Sequence, residues 1–207
     1  MNILLSHGSP NDVHRHAVEA LAGKVSLILG EAVNTAFLGD DLPEEARVLP
    51  LFLTQGRHLE KDVPKMAEVS GVQLIAGPAE YPDTMAGMAL ELAVGQRTGQ
   101  RAVMFALYRL AGAQALMAGL YERSKKFPLP AITGLHGACD VASVLALWKS
   151  EAIADVLIQP VLLFPGHSLE ALRDVAQASG LNVCTGQALS EHEGFAEWLA
   201  GRFRETA

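Results

Sequence analysis

The sequence predicts an α/β protein of two similar lobes, each a four-stranded parallel sheet with helices on both faces, doubly wound. Three observations carry that expectation. Strand-length apolar runs alternate with segments of helical period along the chain. The apolar runs are continuous rather than alternating, as in strands buried on both faces. The series also starts again near the middle, with a second Pro–strand–Gly–His segment.

Residues 3–5 read as a strand closed by the turn Ser6-His7-Gly8-Ser9-Pro10. Val13, Ala17, Ala20, Leu21, Leu27 and Ile28 then recur near helical spacing and predict a helix over 12–29. Residues 34–38 read as a strand. Pro43-Glu44-Glu45-Ala46 leaves space for only a helical turn before a strand over 47–53. A helix over 59–69, a strand over 72–76 and a helix over 83–93, with Asp83 in its first turn after Pro82, complete the first series. The second series reads as strands over 102–107, 131–135, 156–164 and 182–185, with helices over 111–123, 138–150, 169–178 and 191–204.

The segment Pro50 to His58, running on to Gly71 and Gly77, matches Pro160 to His167, running on to Gly180 and Gly186. His58, Gly71 and Gly77 map onto His167, Gly180 and Gly186 with one constant offset, which argues for duplication. The expected lobes are residues 1–98 and 99–207, joined near 95–100. In open parallel sheets the functional crevice lies beyond the carboxyl ends of the strands. His7, His58, His136 and His167 each follow a predicted strand and so fall on that side, where two such edges are expected to frame one cleft.

Composition excludes several classes of function. With 207 residues, half of them hydrophobic and 19% charged, the chain can bury a sizeable core. A formal net charge of −7 argues against nucleic-acid binding, which needs clustered Lys and Arg. No run of about 18 apolar residues suggests a membrane span, and the first residues lack the features of a signal peptide, so a cytoplasmic protein is expected. Cys139 and Cys184 form no Cys-x-x-Cys pair and read as reduced thiols. There is no Walker A loop, no Gly-x-Gly-x-x-Gly after the first strand and no Gly-x-Ser-x-Gly elbow, so neither nucleotide binding nor a serine nucleophile is expected.

The pair His7 and His58 is more informative than either residue alone. Loops after parallel strands of one sheet can bring two imidazoles to one ion, and imidazole is the commonest metal ligand. Gly8 permits close backbone approach there, and the following helix offers free amides at its start.

The opening Leu-Leu-Ser-His-Gly-Ser and the run from Leu49 to Pro64, with its proline, apolar strand, Gly-x-His and Asp-Val-Pro, resemble two motifs of one family. This is the class II chelatase family of sirohydrochlorin cobaltochelatases and ferrochelatases. The resemblance covers the first 80 or so residues, and the second half matches as a divergent copy. It implies a lyase of cobalamin or siroheme biosynthesis that inserts a divalent metal into a tetrapyrrole. His7 and His58 would bind the incoming metal, and one of them would help to remove the pyrrole protons. Ser6, Gly8, Ser9, Gly56 and Arg57 are the accompanying candidate substrate contacts. The metal, as cobalt, iron or nickel, is a substrate, and no nucleotide or other soluble cofactor is implied.

The chemistry suits the residues. Insertion releases two protons, and imidazole both binds borderline metals and titrates near neutral pH. A site with only two protein ligands keeps positions open, so the metal can leave toward the pyrrole nitrogens. The substrate is a polycarboxylate, for which Arg15, Arg57 and Arg109 are candidate partners.

The chain departs from the family at several points. The family's Phe-Leu-Glu after the second strand is here Phe37-Leu38-Gly39-Asp40-Asp41, where Asp40 or Asp41 would have to stand in. The helix between the second and third strands is cut down. The position matching His7 in the second lobe falls at about Leu107, so His136 and His167 are expected to be satisfied, solvent-facing or auxiliary. His14, His16 and His192 are expected at the surface. A non-catalytic metal or tetrapyrrole carrier is the alternative; an unrelated hydrolase or binding module is less well supported. A monomer or weak homodimer is expected.

Overall fold

The computed structural model describes residues 1–8, 12–96, 99, 102–137 and 140–206. In chain order its strands are β1 (Asn2–Ser6), β2 (Val33–Phe37), β3 (Arg47–Pro50), β4 (Gln73–Leu74), β5 (Ala102–Leu107), β6 (Pro130–Gly134), β7 (Asp155–Val161) and β8 (Asn182–Thr185). Its α-helices are α1 (Asp12–Leu29), α2 (Val63–Ser70), α3 (Pro82–Gln96), α4 (Gln114–Ser124), α5 (Val141–Ser150), α6 (His167–Ala178) and α7 (Phe195–Glu205). Two separate sheets form, ordered β2-β1-β3-β4 and β6-β5-β7-β8, and every pairing in them is parallel. The predicted architecture is therefore present, and the identical strand order accords with a duplicated unit.

The compact units are Met1–Tyr81 with Glu193–Ala207, and Pro82–His192. They differ from a simple break at residue 98: α3 packs with α4 and β7 in the second unit, and α7 packs on α1 in the first. Each sheet still lies on its expected side of that break.

In the first unit β1 is buried along its whole length, between β2 and β3. Ile3 and Leu5 join Val48, Phe52 and Val63 in one apolar cluster with Leu42 and Ala46. On the other face α1 buries His14, Val18, Leu21, Ala22 and Val25, a stripe of helical spacing. Phe195, Leu199 and Phe203 of α7 are fully buried as well, each worth roughly 1.5–3 kcal/mol of burial. The Arg47 guanidinium donates to the Phe203 carbonyl at 2.9 Å and ties β3 to α7.

No helix forms between β2 and β3. Residues 41–46 are turn and irregular backbone, so the single helical turn expected there is absent, and Leu42 and Ala46 cover the sheet instead. The second unit does have that helix. There α5 and α6 both cover one face, burying Val141, Leu145, Trp148, Leu169 and Leu172 over Met104, Val156 and Ile158. Asp140 caps α5 by accepting from the Ser143 amide at 2.8 Å, and the Ser143 hydroxyl first and that amide second hold its carboxyl below the usual range.

The single helix predicted over 59–69 is instead a π-helical turn, His58–Asp62, followed by α2. Pro64 near the start of α2 accounts for it: proline has no amide to give Glu60 and its ring would crowd that carbonyl. The turn widens, and the Val63 amide reaches back to the His58 carbonyl. The left-handed Gly71, at φ 60°, then ends α2. Gly77 is needed for a different reason: a Cβ there would sit 2.1 Å from the Pro50 carbonyl oxygen. Its repeat partner Gly186 is similarly crowded, by Gln159 Oε1 at 2.4 Å.

Candidate functional site

Chain order places β2 and β3 on opposite sides of β1, so the sheet's winding reverses between β1 and β3. A crevice opens at such a reversal, beyond the strands' carboxyl ends. His7 is the first residue after β1, and His58 follows β3 by a short loop. Leu5 pairs with Pro50 in register, so both loops leave the same edge of the sheet side by side.

His7 is exposed, and its Nδ1–H donates to the Gly8 carbonyl at 3.0 Å. A carbonyl only accepts, so a hydrogen is on Nδ1, and in the neutral imidazole Nε2 carries the lone pair. His58 reaches the same state by another route. Its Nδ1 lies 2.7 Å from Asp62 Oδ2, one turn further along the π-helical segment. The carboxylate accepts that hydrogen, and in the neutral imidazole Nε2 is again the lone pair. An imidazole held by an oxygen on its far nitrogen is the arrangement seen around metal-ligating histidines. The His58 side chain is 54% exposed, and its ring lies against Phe52 at 5.8 Å between centroids.

Behind His7 stands His14, a residue expected at the surface. It is 6% exposed. Its ring stacks on that of His7 at 4.5 Å with planes 16° apart, and its Nε2 lies 3.2 Å from both Ser6 Oγ and the His7 carbonyl. His14 sits four residues before Val18 on the buried stripe of α1, and that spacing was the sequence signal for it. Burial chiefly, and then the neighbouring His7, lower its pKa below the ordinary 6.5, with the bond to the His7 carbonyl opposing. The unfolded chain therefore binds a proton at His14 more readily than the folded one. Its contribution to stability is complete above about pH 6.5 and declines as pH falls below it. Urea unfolding at about pH 7.5 and about pH 5.5 should show the folded state weakening on acidification, with a smaller loss in a His14→Gln chain.

The other predicted residues are distributed unevenly. Ser6 is fully buried with its hydroxyl on His14, so it faces into the protein. Gly8 and Arg57 are exposed and Gly56 is half-buried, all beside the two histidines in sequence. Ser9 lies outside the described residues, as does Cys139. Arg15 places its guanidinium 4.4 Å from the centre of the Phe37 ring, and Phe37 pairs with Ser6 at the end of β1, so a positive charge stands at this edge. Asp40 accepts the Phe37 amide at 2.8 Å, committing one carboxylate oxygen to its own turn, while Asp41 is exposed. Among the described residues, no three or more His, Cys, Asp or Glu are grouped so as to hold a metal ion.

The second unit has a different constellation at its corresponding edge. Ala106 pairs with Pro160 as Leu5 does with Pro50, so Tyr108, rather than Leu107, stands where His7 stands. Tyr108, His136, Asp140 and His167 line a pocket of about 300 Å³. The Tyr108 and His136 rings meet edge to face at 5.2 Å, and Arg109 lies over Tyr108. Of the remaining histidines, His16 is exposed as expected, whereas His192 is partly buried and bonded to Glu91 at 2.9 Å.

No protein-family model and no curated protein sequence matches the chain. Solved structures do. SirB from Bacillus subtilis, solved with Fe3+, superposes with a TM-score of 0.75 at 15% identity, over 100% of this chain and 96% of SirB. CbiX, the terminal enzyme for biosynthesis of siroheme in denitrifying bacteria, superposes at 0.70 with 17% identity over the whole of both chains. DR2241 from Deinococcus radiodurans, a multi-domain protein with structural similarity to chelatases, gives 0.70 and 17% over 97% of this chain and 54% of its own. The chain has the chelatase fold. Both of its sheets are four-stranded, and the crossover helix between the second and third strands is present in the second unit but not in the first. Among the described residues, no helix of this chelatase-fold protein is long and apolar enough to cross a membrane.

Proposed function

We propose that the chain is a class II chelatase, a cytoplasmic lyase that inserts cobalt(II) or iron(II) into sirohydrochlorin or a related tetrapyrrole in siroheme or cobalamin biosynthesis. One observation carries the reading. Two imidazoles follow neighbouring strands at the winding reversal of the first sheet, and each has its Nδ1–H given to an oxygen. Both Nε2 lone pairs are thereby available to a borderline divalent metal such as cobalt, iron or nickel. Two protein ligands leave coordination positions open to the pyrrole nitrogens. As the metal departs, a vacated imidazole is suited to take up one of the two pyrrole protons. Arg15 and Arg57 supply positive charge near the same edge for the substrate's carboxylates. A monomer or weak homodimer suffices, since both imidazoles come from one copy.

The test is anaerobic incubation with sirohydrochlorin and cobalt(II) or iron(II), followed by absorption. The expected result is conversion to the metallated spectrum well above the uncatalysed rate. Metal binding without that acceleration would support a carrier instead. One Asp40 oxygen is committed to its own turn and the Glu of the family's Phe-Leu-Glu is Gly39 here, which favours this second reading.

A further inference from the structure

We infer that His14 is the positioning residue for His7, and that it is not a third ligand. The inference rests on the reading of His7 as a metal ligand. An imidazole binds a metal in its ring plane, at about 2.0–2.1 Å from nitrogen. The His7 and His14 rings are nearly parallel and 4.5 Å apart, so their in-plane lone pairs run side by side and do not converge on one ion. The hydrogen-bond pattern agrees. His14 Nε2 is within 3.2 Å of the His7 carbonyl, which only accepts, so Nε2 carries the hydrogen and shares it with Ser6 Oγ.

His14 instead holds His7 in two ways. Its face supports the ring of His7, and its Nε2–H fixes the backbone from which that ring hangs. The Gly8 carbonyl holds the third side, at Nδ1. His7 lies outside any helix or strand, whereas His14 is buried on an 18-residue helix and bonded to the fully buried Ser6. Rigidity passes from α1 and the end of β1 to an exposed ring that would otherwise sample several rotamers. Ser6 thereby acts at the site through His14, without touching substrate.

The experiment is a cobalt(II) titration of the metal-free protein, followed by absorbance, on His14→Leu, His14→Phe and His14→Gln chains, with His7→Ala and His58→Ala for reference. Leucine fills the space with neither a flat face nor a donor and should weaken cobalt(II) binding by about tenfold, within the range of outer-shell losses. Phenylalanine restores the stack and glutamine the donor, so each should recover part of that loss. Ring 1H–15N spectra of the metal-free protein should show one His7 tautomer in the parent chain and a mixture in His14→Leu. Should the leucine chain not fold, the phenylalanine and glutamine chains are read against the parent, and each should bind less tightly. Parent-like binding and a single tautomer in the His14 variants, with His7→Ala deficient, would overturn the positioning role alone. Parent-like binding by His7→Ala would overturn the metal-ligand reading itself.

Discussion

A His58→Ala chain is expected to lose tetrapyrrole metallation by more than about a hundredfold while keeping its fold. Outer-shell substitutions at metal sites already cost 10–100-fold, and this one removes a proposed ligand outright. The imidazole is one of the two proposed ligands, so its loss would leave a single protein nitrogen to capture the ion. Structural cost should be small, because the His58 side chain is 54% exposed and its partner Asp62 is itself partly in water. His7→Ala is expected to behave alike, and the double variant to lose little beyond either single one, since residues acting as a unit are not additive. The measurement is the anaerobic initial rate, with circular dichroism to confirm the fold. Full activity in His58→Ala would remove the basis of the proposed mechanism.

The second large effect is expected at Asp62, which needs no contact with the metal. Its carboxylate holds His58 Nδ1 at 2.7 Å and so selects the tautomer with Nε2 unprotonated. In an Asp62→Ala chain the ring can rotate and either nitrogen can carry the hydrogen. Cobalt(II) affinity should fall by about 10–100-fold. Asp62→Asn should fall less, because an amide oxygen still accepts from Nδ1–H. Calorimetric titration of both variants checks the order. Equal losses in the two would mean that the negative charge, rather than the hydrogen bond, is what matters.

The fold was legible because its central strands are mostly apolar runs, interrupted inside β7 only by the buried Gln159. β1, β5 and β7 are buried along essentially their full length and have no polar face to confuse the pattern. Their ends were harder to read. The predicted strand over 156–164 stops at Val161, because Leu162, Leu163 and Phe164 are buried in a loop rather than in the ladder. The helix over 59–69 concealed a π turn whose cause, Pro64, was visible in the sequence. At the site, the two exposed histidines were readable from their place after strands. His14 was missed because the apolar stripe was read through Val13 and Ala20, both of which are exposed. The stripe of Val18, Leu21 and Val25 includes His14 and excludes His16. The partners that fix each tautomer, Gly8 and Asp62, depend on local geometry that spacing does not specify.

The sequence order of the two compact units bears on synthesis. Residues 82–192 form a continuous stretch that can fold as soon as it clears the ribosome. The amino-terminal portion cannot be completed then, for the helix that covers its α1 is translated after all of them. Until Phe195, Leu199 and Phe203 arrive, the apolar flank of α1 has no cover, and the imidazole stack at its start rests on an unfinished base. Completion of the first unit thus waits for residues 193–207, and a nascent chain cut before them would leave the apolar flank of α1 uncovered.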